Sequence, residues 1–339
     1  MSPVTKKWIK TSLKIAFVMA LLFYLSQKGF ISARQTGRAF LDWRNSLPAL
    51  LAMFVSVFLG AIRWQILLRA QDIRLTWTRT TELTLIGNFF NIALPGAVSG
   101  DFVKAFYIGK ELGGHRARSF GSILFDRVAG LSALVLISAF ALLIGYSDFE
   151  HSAVMTGTRA FIVTGAACLI FFYLYLFLVR EHHDPVLKTL RILESRIPKV
   201  ALITQVYLSL RHYHNHRFAV IQVLALSVII QLAIGWVCWR YAAALGEPNL
   251  SLLALYVIVP LGLLVTAVPV APAGVGTGHA AFLFLFGLLG CQRGADIFTL
   301  FALSNIAFGA MGGLVYLRFR SHEPAPTLDP AAEPLPLAH

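Results

Sequence analysis

Charged side chains lie inside stretches of this chain that are otherwise apolar, and they are the residues best suited to chemistry. Arg63 lies in one long apolar stretch, and the neighbours Asp126 and Arg127 lie several residues into another. A charge in hydrocarbon costs about 3 kcal/mol or more unless it is paired or hydrated. Asp126 and Arg127 are therefore expected either to neutralise each other or to meet a zwitterionic headgroup, and a structural ion pair between helices explains them equally well.

A second group of polar residues surrounds a break in an apolar segment near Pro95. Proline removes a backbone donor and glycine permits unusual dihedral angles, so the helix breaks here and the freed peptide groups must face protein or water. The chain after the break begins at Ser99 like a helix N-terminus with Asp101 in its first turn, which favours an anion such as a lipid phosphate. A packing kink with Asp101 as a simple cap explains the same pattern. The candidates in this segment are Asn88, Asn91, Pro95, Gly96, Gly100, Asp101 and Lys104.

A similar break occurs near Pro272. Aligning Pro95–Val98 with Pro272–Val275 indicates a weak internal repeat. Paired broken segments in corresponding halves of a chain point to a transporter site near the membrane midplane. The candidates here are Pro272, Gly274, Gly276, Gly278 and His279.

Other patterns predict packing rather than chemistry. The three cysteines share no metal-ligand spacing, and among the alternating His212, His214 and His216 only the first and last share a helical face. Gly309 and Gly313 have the spacing of a close helix contact. No nucleotide-binding or metalloprotease motif occurs in the sequence, and we predict no metal site and no cofactor.

The elements that must position these residues are membrane helices. Of the 339 residues, 57% are hydrophobic and only 13% are charged, which is too apolar for a soluble domain. The predicted fold class is all-α, a polytopic integral membrane helix bundle with about eight crossings and with broken or re-entrant segments near Pro95 and Pro272. The predicted crossings are 12–26, 47–68, 119–145, 159–179, 218–243, 252–268, 278–290 and 296–317.

The distribution of basic residues predicts the topology. They are concentrated in 180–217, so this region and both termini are expected on the cytoplasmic side, and the net charge of +13 then reflects topology rather than nucleic-acid binding. On this topology the basic residues in 28–44 fall on the external side of the membrane, contrary to the usual enrichment of basic residues in cytoplasmic loops. We predict one transmembrane domain over 1–320, with halves 1–179 and 218–320 joined by an interfacial linker that contains a helix near Ile203–Leu210, and a disordered tail after it. The first span is interpreted as a retained signal anchor.

Several separated motifs resemble one family. Leu94–Lys104, Ser119–Gly130, Pro272–Gly278 and the Arg63–Trp64 pair look like the lysylphosphatidylglycerol synthase transmembrane-region family, in the right order and over most of the chain. The resemblance implies a standalone member that moves a polar-headed lipid between leaflets, without the separate aminoacyl-transferase domain. Two departures are Ser99, where the family usually has glycine, and His279, where it usually has an acidic residue.

The predicted function is therefore that of a flippase-like lipid translocator in the bacterial cytoplasmic (inner) membrane, with no catalytic residue. Its substrate is a lipid with an anionic, zwitterionic or glycolipid headgroup, which slides through a cavity lined by the two broken segments. An integral-membrane enzyme of polyprenyl-lipid or glycolipid synthesis, with Asp101 or Asp126 as base, and a partner of a lipid-synthesis enzyme remain open alternatives. The predicted headgroup contacts are Arg63, Asn88, Asn91, Asp101, Lys104, Asp126, Arg127 and His279.

Overall fold

The computed structural model describes residues 31–93, 99–111, 116–145, 153–197, 200–266 and 274–320, together with residues 23, 25 and 27. Regular structure in these ranges is helical, without a strand, which confirms the all-α class. Two short 3-10 turns, Glu181–His183 and Tyr213–Asn215, flank the helices of the linker. The α-helices are α1 (Ala33–Leu41), α2 (Trp43–Ala70), α3 (Trp77–Ala93), α4 (Ser99–Glu111), α5 (Arg116–Ile144), α6 (Ala153–Leu178), α7 (Pro185–Arg196), α8 (Ala201–His212), α9 (Arg217–Ala244), α10 (Leu252–Thr266), α11 (Thr277–Gly287) and α12 (Gly294–Arg320).

Five of the described helices are long and apolar enough to cross a membrane: α2, α5, α6, α9 and α12. They coincide with five of the predicted crossings, whereas the first, 12–26, lies mostly outside the described residues. The predicted crossings 252–268 and 278–290 are different. The structure has α10 and α11 there, with 15 and 11 residues, and a crossing needs about 17 or more. These two segments are therefore halves of one broken hairpin.

The helices α2 and α9 pack side by side in opposite directions. Near the end of α2, the backbone carbonyl of Leu67 accepts a hydrogen bond from the hydroxyl of Tyr213, just before α9 begins. At the start of α2, the carbonyl of Arg44 accepts one from the guanidinium of Arg240, near the end of α9. We call the end of the bundle at which α2 finishes and α9 begins the linker end, because 180–217 lies there.

The helices α3 and α4 form an antiparallel hairpin that starts and ends at the linker end. Gly87 of α3 lies against Gly100 of α4 so closely that a Cβ at Gly100 would stand 1.8 Å from the Gly87 carbonyl oxygen. Only glycine fits this crossing. The side-chain oxygen of Asn91 also accepts the backbone N–H of Gly100 at 2.9 Å, which satisfies a donor at the start of α4 that has no partner within the helix.

The helices α10 and α11 form the matching hairpin from the opposite end. Gly262 of α10 faces the ring of Phe282 in α11, and Gly274 faces Thr266. Lengths also correspond: α2 to α5 have 28, 17, 13 and 29 residues, and α9 to α12 have 28, 15, 11 and 27. Because α2 and α9 run in opposite directions, the halves form an inverted repeat, an architecture found in many transporters.

Glycines of α12 bring it against α3. A Cβ at Gly309 would stand 2.2 Å from a side-chain atom of Ile92, and one at Gly312 would stand 2.0 Å from the carbonyl oxygen of Leu85. Gly313 lies against the ring of Phe89. The close helix contact predicted from Gly309 and Gly313 is therefore present, and it joins the last span to the first hairpin.

A buried ion pair fixes the linker to the bundle. Asp184 caps α7 and accepts hydrogen bonds at 2.6 Å from the hydroxyls of Tyr175 and Tyr207, and Arg211 lies 3.2 Å from its carboxylate. Burial acts to raise the pKa of Asp184, but these hydrogen bonds outweigh it and hold the pKa below its usual value. Arg211 also donates to carbonyls at the end of α6, including that of Leu176 at 3.1 Å.

A second buried carboxylate organises the opposite end. Asp296, in the first turn of α12, accepts the backbone N–H of Ser32 at 2.8 Å and the hydroxyl of Thr36 at 3.0 Å. Ser32 is itself the N-cap of α1. The basic segment before α2, expected as a loop, therefore contains a short helix held against the bundle.

The α3–α4 crossing yields the first prediction. Replacing Gly100 by Ala forces a methyl group into the Gly87 backbone, so the thermal unfolding midpoint of the purified protein in detergent should fall, by an amount equivalent to about 1–3 kcal/mol. Gly60→Ala is the matched control, because a Cβ at Gly60 meets nothing within 4 Å. Equal midpoints for the two variants would show that the crossing is not tight.

Candidate functional site

An ion pair between two spanning helices lies inside the bundle. The guanidinium of Arg63 in α2 donates from Nε and Nη2 to the two carboxylate oxygens of Asp126 in α5, at 2.7 and 2.9 Å. Its Nη1 donates to the hydroxyl of Ser227 in α9 at 3.0 Å. At 1.5 Å of rise per residue, Arg63 lies about 10 Å before the end of α2, a helix long and apolar enough to cross a membrane. One side chain thus joins three helices there.

A second ion pair lies on the first hairpin. Asp101, in the first turn of α4, accepts a hydrogen bond from Nε of Arg127 at 2.6 Å, and the ammonium of Lys104 lies 4.0 Å from its other oxygen. That ammonium also lies over the indole of Trp64, 4.7 Å from the ring centroid. A Cβ on Gly87 would stand 2.4 Å from Cε of Lys104. The absence of a side chain at Gly87 therefore makes room for the lysine.

The two pairs form one charge cluster, which consists of Arg63, Asp101, Lys104, Asp126 and Arg127. Lys104 interacts electrostatically with the other four members. Consecutive helix residues point in different directions, so Asp126 and Arg127 do not neutralise each other, contrary to one expectation from the sequence, and each pairs with another helix. With three cations and two carboxylates, the cluster has a formal charge of +1. Such a group is suited to an additional anion.

Access to the charge cluster is uneven. The side chain of Arg127 is 42% exposed, whereas that of its partner Asp101 is 6% exposed. On the same hairpin, Phe102 and Phe106 are exposed one turn apart, and the ring of Phe102 lies 6.1 Å from that of Phe120 in α5. The accessible arginine therefore belongs to helices that also present apolar rings to lipid.

His279 has a different environment. Its Nδ1 accepts the backbone N–H of Gly276 at 3.2 Å, its Nε2 lies 3.1 Å from the hydroxyl of Thr299, and its ring packs edge-on against Phe298. In the part of the chain that the structure describes, these contacts stay within α11, α12 and the turn before α11. The structure therefore does not bring His279 into contact with the charge cluster.

Some of the glycine and proline candidates predicted to shape the backbone lie among the described residues, and others do not. Gly274 and Gly276 have φ of +67° and +90°, a region that favours glycine, and a Cβ on Gly278 would stand 2.1 Å from the ring of Phe298. Asn88 lies on α3 with its backbone carbonyl towards Gly309. The candidates Pro95, Gly96 and Pro272 lie outside the described residues.

Two residues that contact the charge cluster, Gly87 and Ser227, were not among the candidates from the sequence. Neither carries a motif signal, because a glycine and a serine inside an apolar helix are ordinary packing residues until a partner is known.

Within the described ranges, no group of three or more His, Cys, Asp or Glu side chains is placed to hold a metal ion. The rings of His212 and His216 lie side by side, with centroids 4.9 Å apart and planes tilted by 37°.

Comparisons with known proteins agree with this architecture. Residues 11–301 match the family described as lysylphosphatidylglycerol synthase TM region. The chain is also 27% identical over 152 residues to the UPF0104 membrane protein PH1989 of Pyrococcus horikoshii, and the match covers 44% of each chain. The chain thus spans less than half of that relative. No solved structure gives a significant match.

The Arg63–Asp126 pair yields the second prediction. Removing one partner leaves an uncompensated charge between the helices, so Arg63→Gln and Asp126→Asn should each lower the thermal unfolding midpoint, by the equivalent of about 3 kcal/mol, the lower end of the cost for a buried pair, because both side chains keep some exposure. The double variant should lose less than the sum of the two, because it buries no unpaired charge. Glu82→Gln, which breaks the more exposed pair with Arg79, is the control and should change the midpoint little. Additive losses would contradict the pairing.

Proposed function

The chain belongs to the lysylphosphatidylglycerol synthase transmembrane-region family, and from this and its geometry we propose that it moves a polar-headed lipid between the two leaflets of a membrane. The observation that carries the proposal is the charge cluster, which has a formal charge of +1 and includes residues of two helices long enough to span a membrane, α2 and α5. An enclosed structural pair needs no excess cation and no exposed guanidinium. A group that receives a charged headgroup needs both.

The side chains of the cluster suit a phosphate-bearing headgroup. A guanidinium binds phosphate oxygens through parallel N–H donors, and a lysine ammonium adds a point charge. Arg127 is the accessible cation, Lys104 lies behind it, and Asp101 suits an amine or hydroxyl on the same headgroup. The neighbouring rings of Phe102 and Phe106 offer an apolar surface along which acyl chains remain in lipid.

The inverted hairpins support movement across the membrane rather than binding at one face. They start from opposite ends of the bundle, and each consists of two helices shorter than the neighbouring spans. Two similar half-structures related by inversion can exchange conformations, which opens a central site to each side in turn. We propose that the headgroup passes between the two hairpins while the spanning helices hold the charge cluster in place.

The orientation of this path follows from charge. Basic residues of 180–217 lie at the linker end, so we propose that this end faces the cytoplasm of a bacterial cell and that the protein resides in the inner membrane. The first hairpin, which carries Asp101 and Lys104, then opens from the cytoplasmic leaflet. The second hairpin opens from the outer leaflet.

Leaflet exchange in proteoliposomes tests the proposal. Acyl-labelled phosphatidylglycerol, phosphatidylethanolamine and a glycolipid are each reconstituted with the protein, and dithionite quenching reports the fraction of label in the outer leaflet over time. We expect faster exchange of at least one lipid than in protein-free vesicles. Arg127→Gln and Asp101→Asn should slow it about tenfold or more, because each removes a charge-assisted hydrogen bond.

The control for these variants is Arg69→Gln, which removes the same charge from an exposed position on α2 and should leave the rate unchanged. Exchange no faster than in empty vesicles for any of these lipids would overturn the proposal. Product formation from a polyprenyl-phosphate sugar under the same conditions would instead indicate an integral-membrane enzyme.

A further inference from the structure

A cavity separate from the charge cluster lies at the linker end. It has a volume of about 720 Å³, is open to the outside, and is lined by the residue after α2 (Gln71), the first turn of α5 (Arg118), Arg180 beyond the end of α6, and α8 (Gln205). Four parts of the chain that are distant in sequence therefore form its walls.

The floor of this cavity is held by internal hydrogen bonds. The side-chain amide of Gln71 donates to the backbone carbonyl of Ser209 at 2.7 Å, and the Ser209 hydroxyl donates back to the Gln71 oxygen at 3.1 Å. Both side chains are buried. Arg211, fixed by Asp184, supports the same wall. The cavity is therefore a formed feature of the fold rather than a gap between loose side chains.

The lining of the cavity is basic. Its described lining residues include three arginines and two histidines and no carboxylate. Arg211 is paired with Asp184, and burial lowers the pKa of His212. The fixed positive charge that faces the cavity therefore comes from Arg118 and Arg180.

Neither of these arginines is strongly compensated. Arg118 lies 3.8 Å from Asp72, but both side chains are at least half exposed, and such pairs contribute little. Arg180 is exposed at the end of α6, and in the described ranges no ion pair with a carboxylate holds it. The first turn of α5, which contributes Ala117 and Arg118 to the lining, adds the positive end of a long helix dipole.

We propose that this cavity binds a phosphate ester at the membrane surface. Two arginines without strong partners suit a phosphate, and the volume lies within the range of small-molecule sites, about 300–1,000 Å³. The space exceeds what inorganic phosphate fills, so the ligand carries a further group. It is either the headgroup of a phospholipid in the adjoining leaflet or a soluble phosphate ester. The site does not depend on lipid movement through the charge cluster.

Binding measurements on the purified full chain in maltoside micelles, which contain no phosphate, test the site. The probes are inorganic phosphate, glycerol 3-phosphate and short-chain phosphatidylglycerol, and the readouts are titration calorimetry and the shift of the unfolding midpoint. We expect at least one of the two esters to bind more tightly than inorganic phosphate. The double variant Arg118→Gln/Arg180→Gln should weaken that binding about tenfold or more.

Two further variants make the result specific. Lys188→Gln/Arg196→Gln removes the same charge from exposed positions of α7 outside the cavity and should leave the affinity unchanged. Gln205→Trp fills the cavity without changing charge and should weaken binding, which diffuse attraction to a basic surface would not show. Unfolding midpoints without probe establish that every variant is folded.

The outcomes separate the sources of the ligand. Binding of phosphatidylglycerol without glycerol 3-phosphate identifies a lipid headgroup, and the reverse identifies a soluble ester. Unchanged affinity in the arginine variant or in Gln205→Trp, failure of all three probes to bind, or binding of inorganic phosphate as tight as that of the esters would overturn the proposal.

Discussion

The constraint on which the rest of the structure depends is that a charge inside lipid must find an opposite charge on another helix. Arg63 meets it by pairing with Asp126 through two parallel hydrogen bonds and by a third bond to Ser227. This arrangement fixes the mutual rotation of α2, α5 and α9, because turning any of them would expose an unpaired charge to hydrocarbon. The first hairpin is then attached to this frame through Asp101 and its arginine partner on α5.

Close backbone contacts at glycines also hold these helices together. The backbones of α3 and α4 touch at Gly87 and Gly100, and α12 approaches α3 through Gly309 and Gly312. Without strong hydrophobic attraction between helices in lipid, close backbone approach supplies the packing energy. The result is a closely packed first hairpin that carries two of the charged residues, and a second hairpin of similar length that enters from the opposite end.

The carboxylates at the two ends of the bundle differ in their surroundings from the charge cluster between its helices. Asp184 and Asp296 are fully buried, and each bonds to backbone or hydroxyl donors as well as to an arginine, so they act as anchors for the linker and for α1. The charge cluster, by contrast, retains an excess cation and an exposed arginine. This difference separates carboxylates that hold the fold from charges that are suited to a ligand.

The sequence by itself determined the fold class, five of the spans, the hairpin near Pro95 and all five members of the charge cluster as candidates, because apolar length, proline and glycine breaks and charges in hydrocarbon are local properties of a chain. Only the tertiary structure decided that Asp126 pairs with Arg63 rather than with its neighbour, that Gly87 makes room for Lys104, and that His279 bonds within its own hairpin and to α12. Partner choice depends on which helix faces come together. That information lies in the packing of residues distant in sequence, which no single segment contains.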